Sequence, residues 1–254
     1  MKIVRVDTDV DEITYGVVEP EGIRLYRGTP FAAWEPTETV VAWDHARLLA
    51  PVIPTKIVAA GRNYADHADE MHNELPDDPL IFLKPPTSVI GPLQPIRIPP
   101  AVGEVHHEAE LAVVIGKVTR DIEPEDVGSH LLGYTAANDI TARDIQRREG
   151  EFTRAKGFDT FCPLGPAINT ELDPEEGLSV ICRVNGEIRQ TGSTSDLVFG
   201  VDALVSFVSS IMTLLPGDVI LTGTPSGVGP IEPGDRVEVE VEGIGVLLNP
   251  VVGR

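Results

Sequence analysis

The segment Val105–Gly116, VHHEAELAVVIG, constrains the fold more than any other stretch of the chain. It starts polar and ends in Leu111-Ala112-Val113-Val114-Ile115, apolar at every position. Strand side chains alternate between faces, so a run that is apolar at odd and even positions alike must be covered on both sides. A sheet with one wet face cannot hold it; the chain has to build layers around this strand. The segment Arg236–Glu242, RVEVEVE, provides the contrast, because its strict alternation writes one buried and one solvated face. Glu108 and Glu110 share that Glu-x-Glu spacing and project together, but they stand where a one-face pattern becomes a two-face pattern.

Elsewhere, short strand-like runs bounded by Gly, Pro or Asp dominate: KIVAAG, LIFLKP, LLGYTAAND, SVICRVNG, GDVILTG and DRVEVEVEGIG. Helical periodicity is clearest near Val201–Met212, where Val201, Leu204, Val205, Val208, Ile211 and Met212 recur at i, i+3, i+4, i+7. Strands do not alternate with long helices as in Rossmann folds or TIM barrels, and no solenoid period is present. The expected fold class is mostly β with some α, the helices packed outside. Residues 2 to about 50 hold the alternating stretches KIVRV, TYGVVE and GIRLY, and the segment LLAPVIPTK then carries Pro51 and Pro54, which cannot donate to a ladder. This predicts a small N-terminal β-rich domain over residues 1–50 and a larger domain over 51–254.

Forty acidic against 20 basic residues give a formal charge of −20, a field that repels nucleic-acid phosphates and anionic membranes. No Lys/Arg-rich stretch overrides it, so no nucleic-acid partner is expected. An anionic substrate must then be held by a local group of cations or a metal. Cys162 and Cys182 form no CxxC and no disulfide framework, which fits a reducing compartment. The N-terminus, MKIVRVDTDVDE, meets acidic residues before an apolar signal region forms, and no run approaches the ~18 apolar residues of a membrane span. A cytoplasmic protein without a membrane partner is the expectation.

Two like charges at the mouth of a buried strand raise each other's pKa and are costly to desolvate unless a cation lies between them. A hard divalent ion, Mg²⁺ or Mn²⁺, would satisfy Glu108 and Glu110; two carboxylates reaching solvent at a strand end is the equally weighted alternative. Asp139, closing the apolar run in GYTAANDITARD, is a candidate third ligand, although the residues alone favour a helix N-cap there. Neighbours on a strand face opposite ways, so His106 and His107 do not ligate one ion; one packs and one is exposed. If Asn63 caps a short helix, His67 and Glu70 share a face and the carboxylate orients the imidazole toward water activation, against the commoner reading of a polar surface pair. Cations are scarce, so Arg143, Arg147, Arg148, Arg154 and Lys156 stand out as solvated helix residues, any of which serves an anionic substrate if it faces the acids. The glycine-rich LTGTPSGVGP lacks the Lys-Ser/Thr of a P-loop and reads as a turn near a site.

In order along the chain, AGRNYADHADE, LIFLKPPTSVIGP, VHHEAELAVVIGK, GYTAANDITARDIQ, RAKGFDTFCPLGP, VNGEIRQTGSTSD, LLPGDVILTGTPSGVG and GIGVLLNPV closely resemble the fumarylacetoacetate hydrolase family, from about Pro54 to Val252. The resemblance implies a β-roll or barrel catalytic domain, homodimeric, preceded in some bacterial members by a small domain like residues 1–50. It implies one divalent ion per subunit, Mg²⁺ or Mn²⁺, on Glu108, Glu110 and Asp139. It further implies that His67 and Glu70 form a lid dyad that activates water, that Lys156 is catalytic, and that Arg143, Gln146 and Thr224 contact substrate. The implied substrate is a small oxo acid: the enzyme cleaves a C–C bond of an acylpyruvate by hydrolysis or decarboxylates an oxaloacetate-type acid. Isomerisation of a 2-hydroxyhepta-2,4-diene-1,7-dioate in aromatic catabolism is one alternative, and a non-catalytic homologue binding metal and dicarboxylate is another.

Overall fold

In the computed structural model, which describes residues 1–9, 13–70 and 74–254, the two-face strand is covered as its sequence requires. Ala109–Ile115 is buried throughout, flanked by the antiparallel strands Leu131–Asn138 and Val219–Leu221. Its two faces enter different cores. Leu111, Val113 and Ile115 pack with Val180, Val205, Val208 and Val239, whereas Ala112 and Val114 pack with Ile3, Ile57, Leu164 and Ile168. Each fully buried Val, Leu or Ile contributes roughly 1.5–3 kcal/mol, so one strand anchors two layers at once.

Among the described residues this strand belongs to a twelve-stranded sheet. On one flank the sheet continues from Leu131–Asn138 through Cys162–Asn169 and Lys2–Thr8 to Thr14–Glu19, Gly22–Gly28 and Trp34–Val41; on the other it runs from Val219–Leu221 to Ile57–Gly61 and Leu80–Lys84. Lys2 and Ile3 pair with Asn169 and Ile168, so the N-terminal strands extend the sheet that carries the central strand. The sheet's ends, Trp34–Val41 and Leu80–Lys84, do not pair with each other. The roll is therefore open, and closure into a barrel, one of the two forms expected, does not occur.

A five-stranded sheet (Glu187–Ser193, Ser179–Val184, Arg236–Val241, Gly245–Gly253 and Ile96–Ile98) and the helix Val201–Ile211 supply partners for the Leu111 face. The helix buries Val201, Leu204, Val205 and Val208, the expected stripe, while Ile211 is exposed and Met212 caps the end. Val237, Val239 and Val241 are buried and Glu238 and Glu240 half-exposed, as strict alternation predicts. No helix among the described residues is long and apolar enough to cross a membrane.

The segment VHHEAELAVVIG is two strands, not one. Val105–His107 pairs with Thr141–Ala142 and Gly229–Pro230 in a separate three-stranded sheet, and Glu108 occupies the break before the chain joins the large sheet. This arrangement buries both histidines, His106 against Glu104 and Arg143 and His107 against Gln190. The expectation that one would be exposed fails because a strand paired on both edges and covered on both faces leaves neither side wet.

Candidate metal centre and active site

Antiparallel register places Ala109 opposite Asn138, so Glu108 and Asp139 leave the sheet side by side. The Asp139 N–H donates to the Glu108 carbonyl at 2.8 Å, and the Glu108 N–H donates to the Asn138 side-chain oxygen at 2.9 Å. Carboxylate oxygens of Glu108, Glu110 and Asp139 lie within 4.8 Å of one another, and all three residues are buried. Asp139 does not cap a helix: the next one, Arg143–Glu149, has Ala142 at its N-cap. Its carboxylate instead accepts from Lys156 at 2.6 Å and from Lys84.

Three cations surround the three acids. The Lys156 ammonium also donates to Glu108 at 2.7 Å and to the Thr141 hydroxyl at 2.8 Å, so its three donors are all engaged. Arg143, buried despite its length, donates to Glu108 Oε1 at 2.5 Å and to Gln146 Oε1 at 2.5 Å. Burial pushes the Glu108 carboxyl up, but the adjacent Lys156 and Arg143 outweigh it and hold the group well below the usual carboxylate range. Burial likewise lowers Lys156, and Asp139 and Glu108 outweigh that to raise it.

Glu110 is the exception. Its Oε2 accepts the Gly223 N–H at 2.6 Å, it forms no ion pair among the described residues, and burial followed by Asp139 and Glu108 pushes its carboxyl well above the ordinary value. A buried carboxylate aimed at two others is the condition a divalent cation relieves. Three converging carboxylate oxygens, with no thiolate or imidazole among them, fit a hard ion such as Mg²⁺ or Mn²⁺.

The helix Ala65–Glu70 places His67 Nδ1 3.2 Å from Glu70 Oε2, and Glu70 is held in turn by the Gly227 N–H at 3.1 Å. Asn63 does not cap this helix. Its carboxamide donates to the carbonyls of Phe199 and Thr222 at 2.9 and 2.8 Å and accepts the Phe199 N–H at 2.8 Å, clamping the chain before the helix starts.

A cavity of about 270 Å³ is lined by His67, Glu108, Glu110, Arg143, Gln146, Lys156 and Thr224. The remaining predicted residues, Glu70 and Asp139, lie one hydrogen bond behind it, through His67 and Lys156 respectively. The Thr224 hydroxyl already donates to the Ala109 carbonyl at 2.9 Å and accepts from Gln190 at 2.7 Å, so toward a ligand it can only accept. Gln146 gives its oxygen to Arg143, and its NH₂ has no partner among the described residues. Arg148 and Arg154 pair with Glu149 at the surface and take no part.

Two contributors escaped the sequence reading. Lys84 is fully buried with its ammonium on Asp139; the signal was a lone lysine ending the apolar run LIFLK. The glycine-rich loop does more than turn. Gly223 (φ 103°) and Gly227 (φ 92°) adopt left-handed backbone, and a Cβ at Gly223 would stand 2.9 Å from Asn63 Cβ. The loop thus supplies an N–H to one acid of the cluster and one member of the dyad.

Comparison with known proteins gives matches along most of the chain. The family described as "Fumarylacetoacetate (FAA) hydrolase C-terminal" matches residues 56–252, and one described as "Rv2993c-like, N-terminal" matches residues 1–51. The chain is 52% identical over 223 residues to Protein Rv2993c of Mycobacterium tuberculosis, covering 86% of this chain and 84% of that one. It is 45% identical over 226 residues to the human mitochondrial oxaloacetate tautomerase FAHD2B, covering 84% and 72%. Among solved structures, 5-carboxymethyl-2-hydroxymuconate delta-isomerase from Mycobacterium smegmatis superposes with a TM-score of 0.93 at 46% identity, each chain covered in full. Maleylpyruvate hydrolase from Sphingobium, in complex with manganese(II) and pyruvate, superposes at 0.80 with 32% identity, covering 100% of this chain and 99% of that one.

Proposed function

The chain belongs to the fumarylacetoacetate hydrolase family, and on that footing we propose that it is a divalent-metal-dependent enzyme of enolisable 2-oxo acids whose own reaction is proton transfer at the carbon beside the oxo group. The observation that carries this reading is the convergence of three carboxylates, Lys156 and an imidazole–carboxylate pair on one cavity. Relatives named as a tautomerase and an isomerase, at 45% and 46% identity, support proton transfer over bond cleavage.

Glu108, Glu110 and Asp139 would hold a divalent ion, which when bound would supply Lewis-acid charge to the head of an oxo acid. Lys156 adds a second positive charge at the same edge. Its donors are engaged, so it hydrogen-bonds a substrate oxygen by exchanging one of its present partners, an exchange favoured as that oxygen becomes anionic. Arg143 fixes Glu108 and Gln146, leaving the Gln146 NH₂ to donate to a substrate carboxylate. With His67 Nδ1–H donated to Glu70, Nε2 carries the lone pair and takes a proton from C3. Glu70, pinned by Gly227, stabilises the imidazolium that results. Return of that proton to oxygen or to another carbon gives the tautomer or isomer.

Hydrolysis of an acylpyruvate is the second reading, favoured by the same dyad. If His67 takes its proton from water, the hydroxide attacks C4, the C3–C4 bond breaks and its electrons pass to the pyruvyl enolate.

The test is C3 proton–deuterium exchange in oxaloacetate followed by NMR, beside cleavage of an acylpyruvate followed by absorbance, with Mg²⁺ or Mn²⁺ and with EDTA. The expected result is metal-dependent exchange that stops on chelation. Undiminished exchange in EDTA rejects the metal, and acylpyruvate cleavage without exchange transfers the assignment to hydrolysis.

A further inference from the structure

In the strand Glu187–Ser193 the usual patterning is reversed: Ile188 is 60% exposed and Gln190 is buried. A register shift is the cause. Gln190 lies opposite Cys182 and Ile188 opposite the next residue, Arg183, so Arg189 is the extra residue of a bulge. Cross-strand partners share a face, and Cys182 belongs to the core, so the bulge turns a carboxamide inward.

A carboxamide has two donors and two acceptor positions, and all four are used here. Oε1 accepts the Ala109 N–H at 3.0 Å and lies 2.9 Å from His107 Nδ1. Nε2 donates to the Pro225 carbonyl at 2.8 Å and to the Thr224 hydroxyl at 2.7 Å. The Ala109 N–H can only donate and the Pro225 carbonyl can only accept. The amide therefore has one orientation, and His107 carries its proton on Nδ1.

These partners belong to the two halves of the site. Ala109 stands between Glu108 and Glu110; Thr224 and Pro225 stand between Gly223, whose N–H meets Glu110, and Gly227, whose N–H meets Glu70 at 3.1 Å. The loop is anchored at both ends to the acid-bearing segment. Thr222 donates its N–H and its hydroxyl to the Leu111 carbonyl at 3.1 and 3.0 Å, and Gly229 lies opposite His107. Between these anchors Gln190 holds the middle of the loop.

The loop also lies hard against the glutamine's own strand. A Cβ at Gly227 would stand 2.2 Å from the Arg189 carbonyl oxygen, and one at Gly192 would stand 2.5 Å from Pro225 Cβ. Glycine at both places lets the backbones close, and the carboxamide fixes their height above the acid strand.

We propose that Gln190 is a positioning residue for proton transfer: by tying Thr224 and Pro225 to the acid strand it sets where the Gly227 N–H meets Glu70, and through Glu70 the orientation of His67. This rests on the reading of His67 as the base and of Glu108, Glu110 and Asp139 as metal ligands.

Gln190→Glu tests it by separating the two sides of the carboxamide. A carboxylate keeps the acceptor for Ala109 and His107 and loses both donors to the loop. Added negative charge near the acids favours a bound cation, so calorimetry should show Mn²⁺ affinity equal to or above that of the wild type. C3 proton–deuterium exchange in oxaloacetate at saturating Mn²⁺ should nevertheless fall about tenfold or more, the scale of a displaced catalytic group. Hydrogen exchange followed by NMR should quicken at the Gly227 amide and stay unchanged in the helix Val201–Ile211. In a His67→Ala background, Gln190→Glu should alter the residual rate by less than about threefold, because its effect runs through the absent base. Gln190→Met, similar in length and uncharged, should show the same loss and the same non-additivity if the charged variant does not fold.

Four results overturn the assignment and leave the metal-dependent reading standing. They are exchange within about threefold of wild type in a folded variant, a full additional loss on top of His67→Ala, loosening throughout Val201–Ile211, or Mn²⁺ binding weakened about tenfold in Gln190→Glu. Failure of the wild-type protein to bind Mn²⁺ or to exchange the C3 proton overturns that reading and this one with it.

Discussion

Lys156 Nζ lies 2.7 Å from Glu108 Oε2 with both side chains buried. On the proposed function, the pair joins a positive charge offered to an incoming substrate oxygen to an acid of the candidate metal cluster, so the two roles should separate on mutation. Lys156→Met should lower kcat by roughly 10²–10³-fold, the scale of one lost transition-state donor. Mn²⁺ affinity should be retained, since no oxygen ligand is removed and a competing cation is. Titration calorimetry with Mn²⁺ beside steady-state kinetics checks this; loss of both properties would make Lys156 a structural residue.

Glu110→Gln should act in opposite directions on stability and metal binding. The Glu110 pKa is raised in the folded state by burial, Asp139 and Glu108, so its contribution to metal-free stability is present below the unfolded value near 4.5 and is lost as pH rises through the elevated folded value. Neutralising it should stabilise the metal-free protein by about 1–4 kcal/mol at neutral pH, as replacing an uncompensated buried charge does, while weakening Mn²⁺ binding at least about 100-fold. Thermal melts with and without Mn²⁺ read both effects, and a destabilised metal-free variant would contradict the account.

His67→Ala removes the proposed base but no acid of the cluster. Deuterium exchange and acylpyruvate hydrolysis should both fall by roughly 10²–10⁴-fold. Decarboxylation of oxaloacetate, in which CO₂ departs without prior proton abstraction, should be largely retained. Equal loss of all three activities would reject this division of labour.

Asp218 tests stability away from the site. Buried, it accepts from Lys56 and from the Thr55 hydroxyl at 2.6 Å, and the backbone N–H groups of Thr55, Lys56 and Leu215 also donate to it. Burial raises its pKa, but these donors, Lys56 foremost, outweigh it and the net shift is downward. A depressed acid stabilises the fold above its unfolded value, near 3.9, and the contribution disappears as pH falls through the folded value. Asp218→Asn should cost about 3 kcal/mol at pH 7, with the difference shrinking in acid. Urea unfolding at both pH values measures it; a cost independent of pH would show that shape, not charge, matters there.

Much of this molecule is legible in short windows. The helix Val201–Ile211 and the strand Arg236–Val241 appear where periods of 3.6 and 2 place them, because both patterns record which face meets a core. Where local reading erred, a distant partner intervened. Asn63 reads as a cap but is claimed by Phe199 and Thr222, 136 and 159 residues away. Asp139 reads as a cap but is claimed by Lys84, 55 residues earlier. His106 and His107 read as one buried and one exposed, but a third strand, Gly229–Pro230, closes over them.

The sequence by itself determined that the chain is layered, that Ala109–Ile115 lies at its centre, and that two acids stand where that strand enters the core; these follow from the side-chain period of a strand and the cost of exposing apolar surface. The family resemblance added Asp139 and Lys156 to that picture, and only the tertiary structure decided that Lys84 faces the cluster and that Gly223 and Gly227 hold Glu110 and Glu70. Those pairings depend on strand register and on loops that meet across more than a hundred residues, and charge carries no local period that would announce its partner.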